Sequence, residues 1–108
     1  MRDQLSPVRV GLGAGSPQAL VLTPLVLVMG SRAGLSIEQI DDLTMAVEMV
    51  LRGGARDRTA GLRVEPGCLE ISIGNVDGDW IEQHRAMLSV LVAGLESDAE
   101  GVILRAGA

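Results

Sequence analysis

The chain has 108 residues, 47% apolar and 21% charged, with nine Arg, no Lys and fourteen acidic residues for a net charge of −5. The length suits one domain spanning 1–108, and the apolar fraction is too high for a disordered chain. The acidic balance disfavours nucleic acid and anionic membranes, which need basic patches, and a chain with one Trp and no Phe or Tyr lacks the faces on which bases stack.

Cys68 is the single cysteine, so no intramolecular disulfide can form. With only His84 to join it, a structural zinc site cannot be assembled either. The start, MRDQLSPVR, lacks the apolar core of a signal peptide, and the apolar run Ala19 to Met29 is shorter than the ~20 residues a bilayer needs. The expectation is a soluble, cytoplasmic protein.

In chain order, Val8, Val10 and Leu12 alternate with Arg9, Gly11 and Gly13, predicting a strand that starts after Pro7 as an edge strand. The GLGAG segment lacks the spacing of a phosphate loop and reads as a strand exit. Ser16 as N-cap and Pro17 at the first helical position predict a helix from there to Gly30–Gly34, apolar nearly all round and therefore buried on much of its surface. Pro24 opposes it, so the segment is either one helix or two short strands broken at Thr23-Pro24.

Ser36 and Gln39 form a capping box. After them Ile37, Ile40, Leu43, Val47, Val50 and Leu51 make one helical stripe that Gly53-Gly54 stops. Glu48 and Arg52, four apart, share a face and can pair. Ala55 to Gly61 reads as an exposed Arg-rich connection. A hairpin follows: Leu62 and Val64 alternate before the Glu65-Pro66-Gly67 turn, and Leu69, Ile71 and Ile73 after it, with Cys68 a small core residue. Asp77-Gly78-Asp79 reads as a turn and His84 as a solvated helix residue. Ile81 to Leu95 is predicted as a helix with Met87, Leu88, Leu91, Val92 and Leu95 inward, and Val102–Leu104 as a closing strand. The order β-α-α-β-β-α-β predicts an α/β two-layer sandwich.

The stretch Gly34 to Glu48, GLSIEQIDDLTMAVE, with its Met45-Ala46-Val47-Glu48 signature, resembles the anti-sigma regulatory factor (serine-protein kinase) branch of the GHKL, or Bergerat-fold, histidine kinase-like ATPases. The resemblance implies a mixed sheet with helices on one face and a cleft between signature helix and sheet. It also implies a partner that is a sigma factor or a STAS-type anti-anti-sigma protein. Active members phosphorylate a Ser on that partner. Glu48 takes the place of the family's catalytic Glu. The family's magnesium-binding Asn is replaced by Arg52, whose guanidinium has no acceptor. For the adenine-reading Asp-x-Gly-x-Gly turn the chain offers Asn75, Asp77 and Gly78 with no second glycine, and Glu82-Gln83-His84-Arg85-Ala86 lacks the glycines of the family's lid.

The reading that follows is a binding protein with degraded nucleotide motifs: Glu48 a catalytic remnant, Arg52, Asn75, Asp77 and Gly78 remnants of a cofactor site, no metal and no cofactor expected. The alternatives are an active ATP- and magnesium-dependent serine kinase with an atypical metal site, and a structural or oligomerisation module. The exposed first strand and a helix rich in Val and Leu are compatible with a homodimer.

Overall fold

In the computed structural model, residues 8–53 and 56–107 are described. Pro7, Gly54 and Ala55, invoked above for the strand start, the helix stop and the connection, lie outside them. Eight elements follow one another: β1 (Val8–Leu12), α1 (Gln18–Ala33), α2 (Ile37–Leu51), β2 (Arg58–Glu65), β3 (Cys68–Gly74), α3 (Gly78–Leu91), β4 (Gly94–Ser97) and β5 (Gly101–Gly107). The strands form one sheet in the order β1-β2-β3-β5-β4. Every neighbouring pair is antiparallel, which corrects the expected mixed sheet.

Period-two alternation gives the sheet two unlike faces. On one face, Val10, Ala60, Ile73 and Val102 lie in register, as do Val8, Leu62, Ile71, Leu104 and Leu95. This face joins Leu22, Val26, Leu43, Val47, Ile81 and Leu88 of the helices in a single core, so all three helices cover the same side. The opposite face carries the row Arg9, Gly61, Ser72, Ile103, Glu96 and, beside it, Arg63, Glu70, Arg105, Gly94. There Arg105 bridges Glu70 (2.9 Å) and Glu96 (3.4 Å), and Arg63 also reaches Glu70 (3.2 Å). Such half-exposed pairs contribute little individually, ~1 kcal/mol or less.

The hairpin forms as its sequence dictates. Glu65 pairs with Cys68 across Pro66-Gly67. Gly67 adopts φ 78°, the left-handed conformation that the third residue of a Pro-Gly turn needs. Its N–H donates to the Ala33 carbonyl (2.8 Å), docking the turn on the end of α1. Cys68 is buried, and burial together with Glu65 pushes its thiol above the usual range.

The segment with Pro24 is one helix, not two strands. Both Pro24 and Leu20, whose carbonyl loses its helical donor, face solvent, where water can replace the bond. Ser16 does not cap this helix. Its hydroxyl donates to the Gly13 carbonyl (2.7 Å), and Pro17 occupies the cap position without a side-chain bond. Nor is the helix buried on most sides: Leu22, Val26, Gly30 and Ala33 point inward, while Leu20 (72% exposed), Val21, Leu27 and Val28 do not.

The capping box of α2 is present, with the Gln39 amide donating to the Ser36 hydroxyl (3.1 Å) and the Ser36 amide to the Gln39 side chain (2.8 Å). Ile40, Leu43, Val47 and Val50 are buried, while Ile37 is outside, because it sits in the first turn beyond the edge of the inward stripe.

Three further expectations are corrected. The Arg-rich connection is largely strand, and Arg58 is only 4% exposed. The last helix is Gly78–Leu91, shifted towards the N-terminus because Asp77 is its N-cap rather than part of a free turn; Met87 is exposed. Leu95 belongs to β4, an edge strand that the sequence analysis did not anticipate. No helix among the described residues is long and apolar enough to cross a membrane.

Val47 is 1% exposed against the sheet. Val47→Asp would bury an unpaired charge and is expected to abolish the cooperative thermal transition in circular dichroism. Leu43→Ala, which only opens a cavity, should lower stability by about 2–5 kcal/mol and leave the transition cooperative.

Candidate functional site

The signature helix brings Glu48 and Arg52 to one cleft. It has a volume of about 440 Å³ and lies between the last turn of α2 and the N-terminal turn of α1, with Ser16, Gln18, Leu20 and Leu51 in its walls. Helical spacing of four puts both side chains on this side. No salt bridge or side-chain hydrogen bond joins Glu48 to Arg52 among the described residues, so the expected pair is not formed; the two are linked only through the helix backbone, where the Arg52 N–H donates to the Glu48 carbonyl (3.2 Å). The cleft instead presents a carboxylate and a guanidinium side by side.

Asn75, Asp77 and Gly78 do not line this cleft. Asn75 follows β3 with φ 59°, a left-handed conformation that Asn tolerates better than most residues. Its amide N–H donates to the Glu100 carbonyl (2.7 Å) and its side-chain Nδ2 to the Asp57 carbonyl (2.8 Å). Asp77 caps α3 by accepting from the Asp79 N–H (2.9 Å). A Cβ on Gly78 would meet open space. The polar groups of Asn75 and Asp77 are thus engaged by their own backbone surroundings. Trp80 follows, its indole beside Gly53 at the end of α2. His84 stacks on it with ring centroids 4.1 Å apart, and His84 Nδ1 lies 2.8 Å from the Trp80 carbonyl. His84 is therefore half-buried against a neighbour rather than solvated.

The residues that shape the cleft most directly were not singled out in the sequence. Gln18, at the first position of α1, is buried. Its Nε2 donates to the carbonyls of Leu12 (3.2 Å), Gly13 (3.1 Å) and Arg56 (2.7 Å), and its Oε1 accepts from Arg58 Nη1 (2.7 Å). Burial, then the nearby Arg56 charge, lowers the Arg58 pKa from its ordinary value. Asp57 adds a bond from the Ala14 N–H to its Oδ1 (2.7 Å). Ends of β1, α1 and β2 are thereby held together at the cleft wall. One sequence signal for Arg58 existed: the alternation Ala60, Leu62, Val64, extended back two residues, places residue 58 on the inward face.

A second hollow, about 410 Å³, lies on the open sheet face between Arg9, Ser72, Ile103 and Glu96 and includes none of the five candidate residues. Among the described residues no group of three or more His, Cys, Asp or Glu side chains is placed to hold a metal ion. No protein-family model matches the chain, and no curated protein matches it.

Gln18→Ala should lower stability by about 1–3 kcal/mol, because it strips a buried donor from three carbonyls and one acceptor from Arg58. Arg52→Asn, at an exposed cleft-mouth position, should change stability by under ~1 kcal/mol. Urea denaturation of both variants checks the contrast.

Proposed function

We propose that this chain is a regulatory binding protein of the anti-sigma-factor type, built on a Bergerat-like scaffold, that sequesters a sigma factor or a STAS-type partner. The observation that carries the reading is the outer surface of the helix pair. Leu20 and Ile37, each 72% exposed, stand with Leu27 and Met45 on α1 and α2, and Leu20 also lines the cleft of Glu48 and Arg52. Exposed apolar side chains beside two opposite charges suit a protein surface, which offers both kinds of contact. Three helices on one face of the sheet, in the expected order, support the scaffold. The antiparallel pairing throughout departs from it.

The donor set does not fit a magnesium nucleotide. Arg52 stands where a metal-binding amide would be needed and has no lone pair to offer. Asn75 and Asp77 are spent on Asp57 and Asp79. The amide-exposing start of α3, where phosphate would be met, carries Asp79 in its first turn. A carboxylate there repels a polyphosphate.

Two measurements test the reading. Millimolar Mg-ATP should leave the melting temperature unchanged; a ligand at 100 times its Kd would add ~2.7 kcal/mol, a rise on the order of 10 °C or more at this size. A magnesium-dependent rise, or radiolabel transfer from ATP to a STAS protein, overturns it in favour of the kinase. Arg52→Asn should not create transfer. Second, purified chain should capture a sigma factor or a STAS protein from its host, identified by mass spectrometry. Leu20→Glu should weaken that capture at least tenfold without lowering the melting temperature. Undiminished capture removes the helix-pair surface from the reading.

A further inference from the structure

The open face of the sheet holds its charges in two ways. Arg63, Glu70, Arg105 and Glu96 are joined in one chain of ion pairs. Arg9, Asp98 and Glu100, which line the hollow of about 410 Å³ beside them, are not. Among the described residues no ion pair or side-chain hydrogen bond engages Arg9 or Glu100. Asp98 accepts the N–H groups of Glu100 (2.8 Å) and Gly101 (3.1 Å) on Oδ1 alone, which leaves Oδ2 for another donor.

The two signs sit at opposite rims. Arg9 is on β1, while Asp98 and Glu100 follow β4, the other edge strand. Four inter-strand steps of ~4.8 Å put these backbones about 19 Å apart. That exceeds the screening length of ~8 Å at physiological salt, so the rims do not neutralise each other. The floor between them is nearly bare. Arg9, Gly61 and Ser72 share one row across the sheet, and Gly74 pairs with Gly101 in the next. Ser72 and Thr59 are exposed there and supply hydroxyl groups that can both donate and accept.

We propose that this hollow binds a short free peptide of about three residues, laid across the strands with its terminal ammonium at Asp98 and Glu100 and its terminal carboxylate at Arg9. The volume is that of a small-ligand site, which runs from about 300 Å³ upward. With side chains reaching in from both rims, about 10 Å remains, the length of three extended residues. Opposite charges at the rims select a ligand that is dipolar along its length. A polyamine or a polyanion would bring a like charge to one rim, whereas a carboxylate fits the Arg9 fork and an ammonium the two acids. The glycine floor leaves room for any side chain in the middle, so the selection is for the two termini and not for a sequence. The hollow lies on the face opposite the helices, so its ligand is independent of the partner bound beside Leu20.

Trialanine is the probe, titrated to 10 mM into the isotope-labelled full chain and followed by the amide resonances of Gly61, Ser72 and Gly74 in NMR spectra. These should shift saturably, with a Kd of roughly 1 mM or tighter. N-acetyl-trialanine and trialanine amide each lack one terminal charge and should bind at least fivefold more weakly. Arg9→Gln should reduce trialanine to the affinity of its amide while leaving the binding of the amide unchanged. Gly74→Leu fills the floor without altering charge and should abolish the shifts; a Cβ at that position meets nothing closer than 3.6 Å, so the melting temperature of the variant should stay near that of the parent chain. No saturable shift in the parent chain at 10 mM overturns the proposal. Equal binding of the blocked peptides overturns the dipolar ligand, and undiminished binding by Arg9→Gln or by a folded Gly74→Leu removes the ligand from this hollow.

Discussion

A guanidinium taken out of water must be met by hydrogen bonds, and the site that meets Arg58 organises everything near the cleft. Gln18 is the intermediary. Its amide joins the exit of β1, the start of α1 and the approach to β2, reaching as far as Arg58, 40 residues on in sequence. A long apolar helix with a proline in it and a glycine-rich entrance has few other reasons to begin where it does. Ser16 is turned back on Gly13, and the cap position is a proline with no side-chain bond. The start of α1 is therefore fixed by a tertiary contact, and the wall of the cleft with it.

That dependence explains which features the sequence disclosed. The start of α2 rests on a local device, Ser36 with Gln39, and its inward stripe on a regular 3.6-residue period, so both were readable. The Pro66-Gly67 hairpin is equally local. Arg58 and Gln18 were opaque because polar residues read as surface until their partner, 40 residues away, is known. Asp77 was read for its charge, whereas its geometry makes it a helix cap. β4 escaped because Leu95 continues the apolar spacing of α3, and only pairing with Leu104 makes it a strand. In the candidate site, the shared face of Glu48 and Arg52 was legible as a four-residue spacing. Their separation from Asn75 and Asp77 was not, since it depends on where the chain turns after β3.

The sheet divides the molecule into surfaces of different chemistry. The open face is knit by Arg63, Glu70, Arg105 and Glu96, whose charges largely satisfy one another. The helical side is the reverse: its inner half is saturated with aliphatic contacts, yet α1 still turns Leu20, Leu27 and Val28 to water. A chain with no Phe or Tyr must fill its core with Val, Leu and Ile. The surplus of the same residues on α1 exceeds what its own core uses.

Gly30 gives the helix pair a mechanical character. At that point α1 and α2 approach so closely that even a methyl group would press on Ile40. The turn through Gly34 closes the pair just beyond, and the cleft of Glu48 and Arg52 lies at the far end, where α1 begins and α2 finishes. The two helices are arranged like a pair of tongs with the pivot near the bend. A side chain at Gly30 would press on Ile40 where the two helices come closest, so the close approach at the bend depends on the smallest residue of the pair, several turns from the charged cleft.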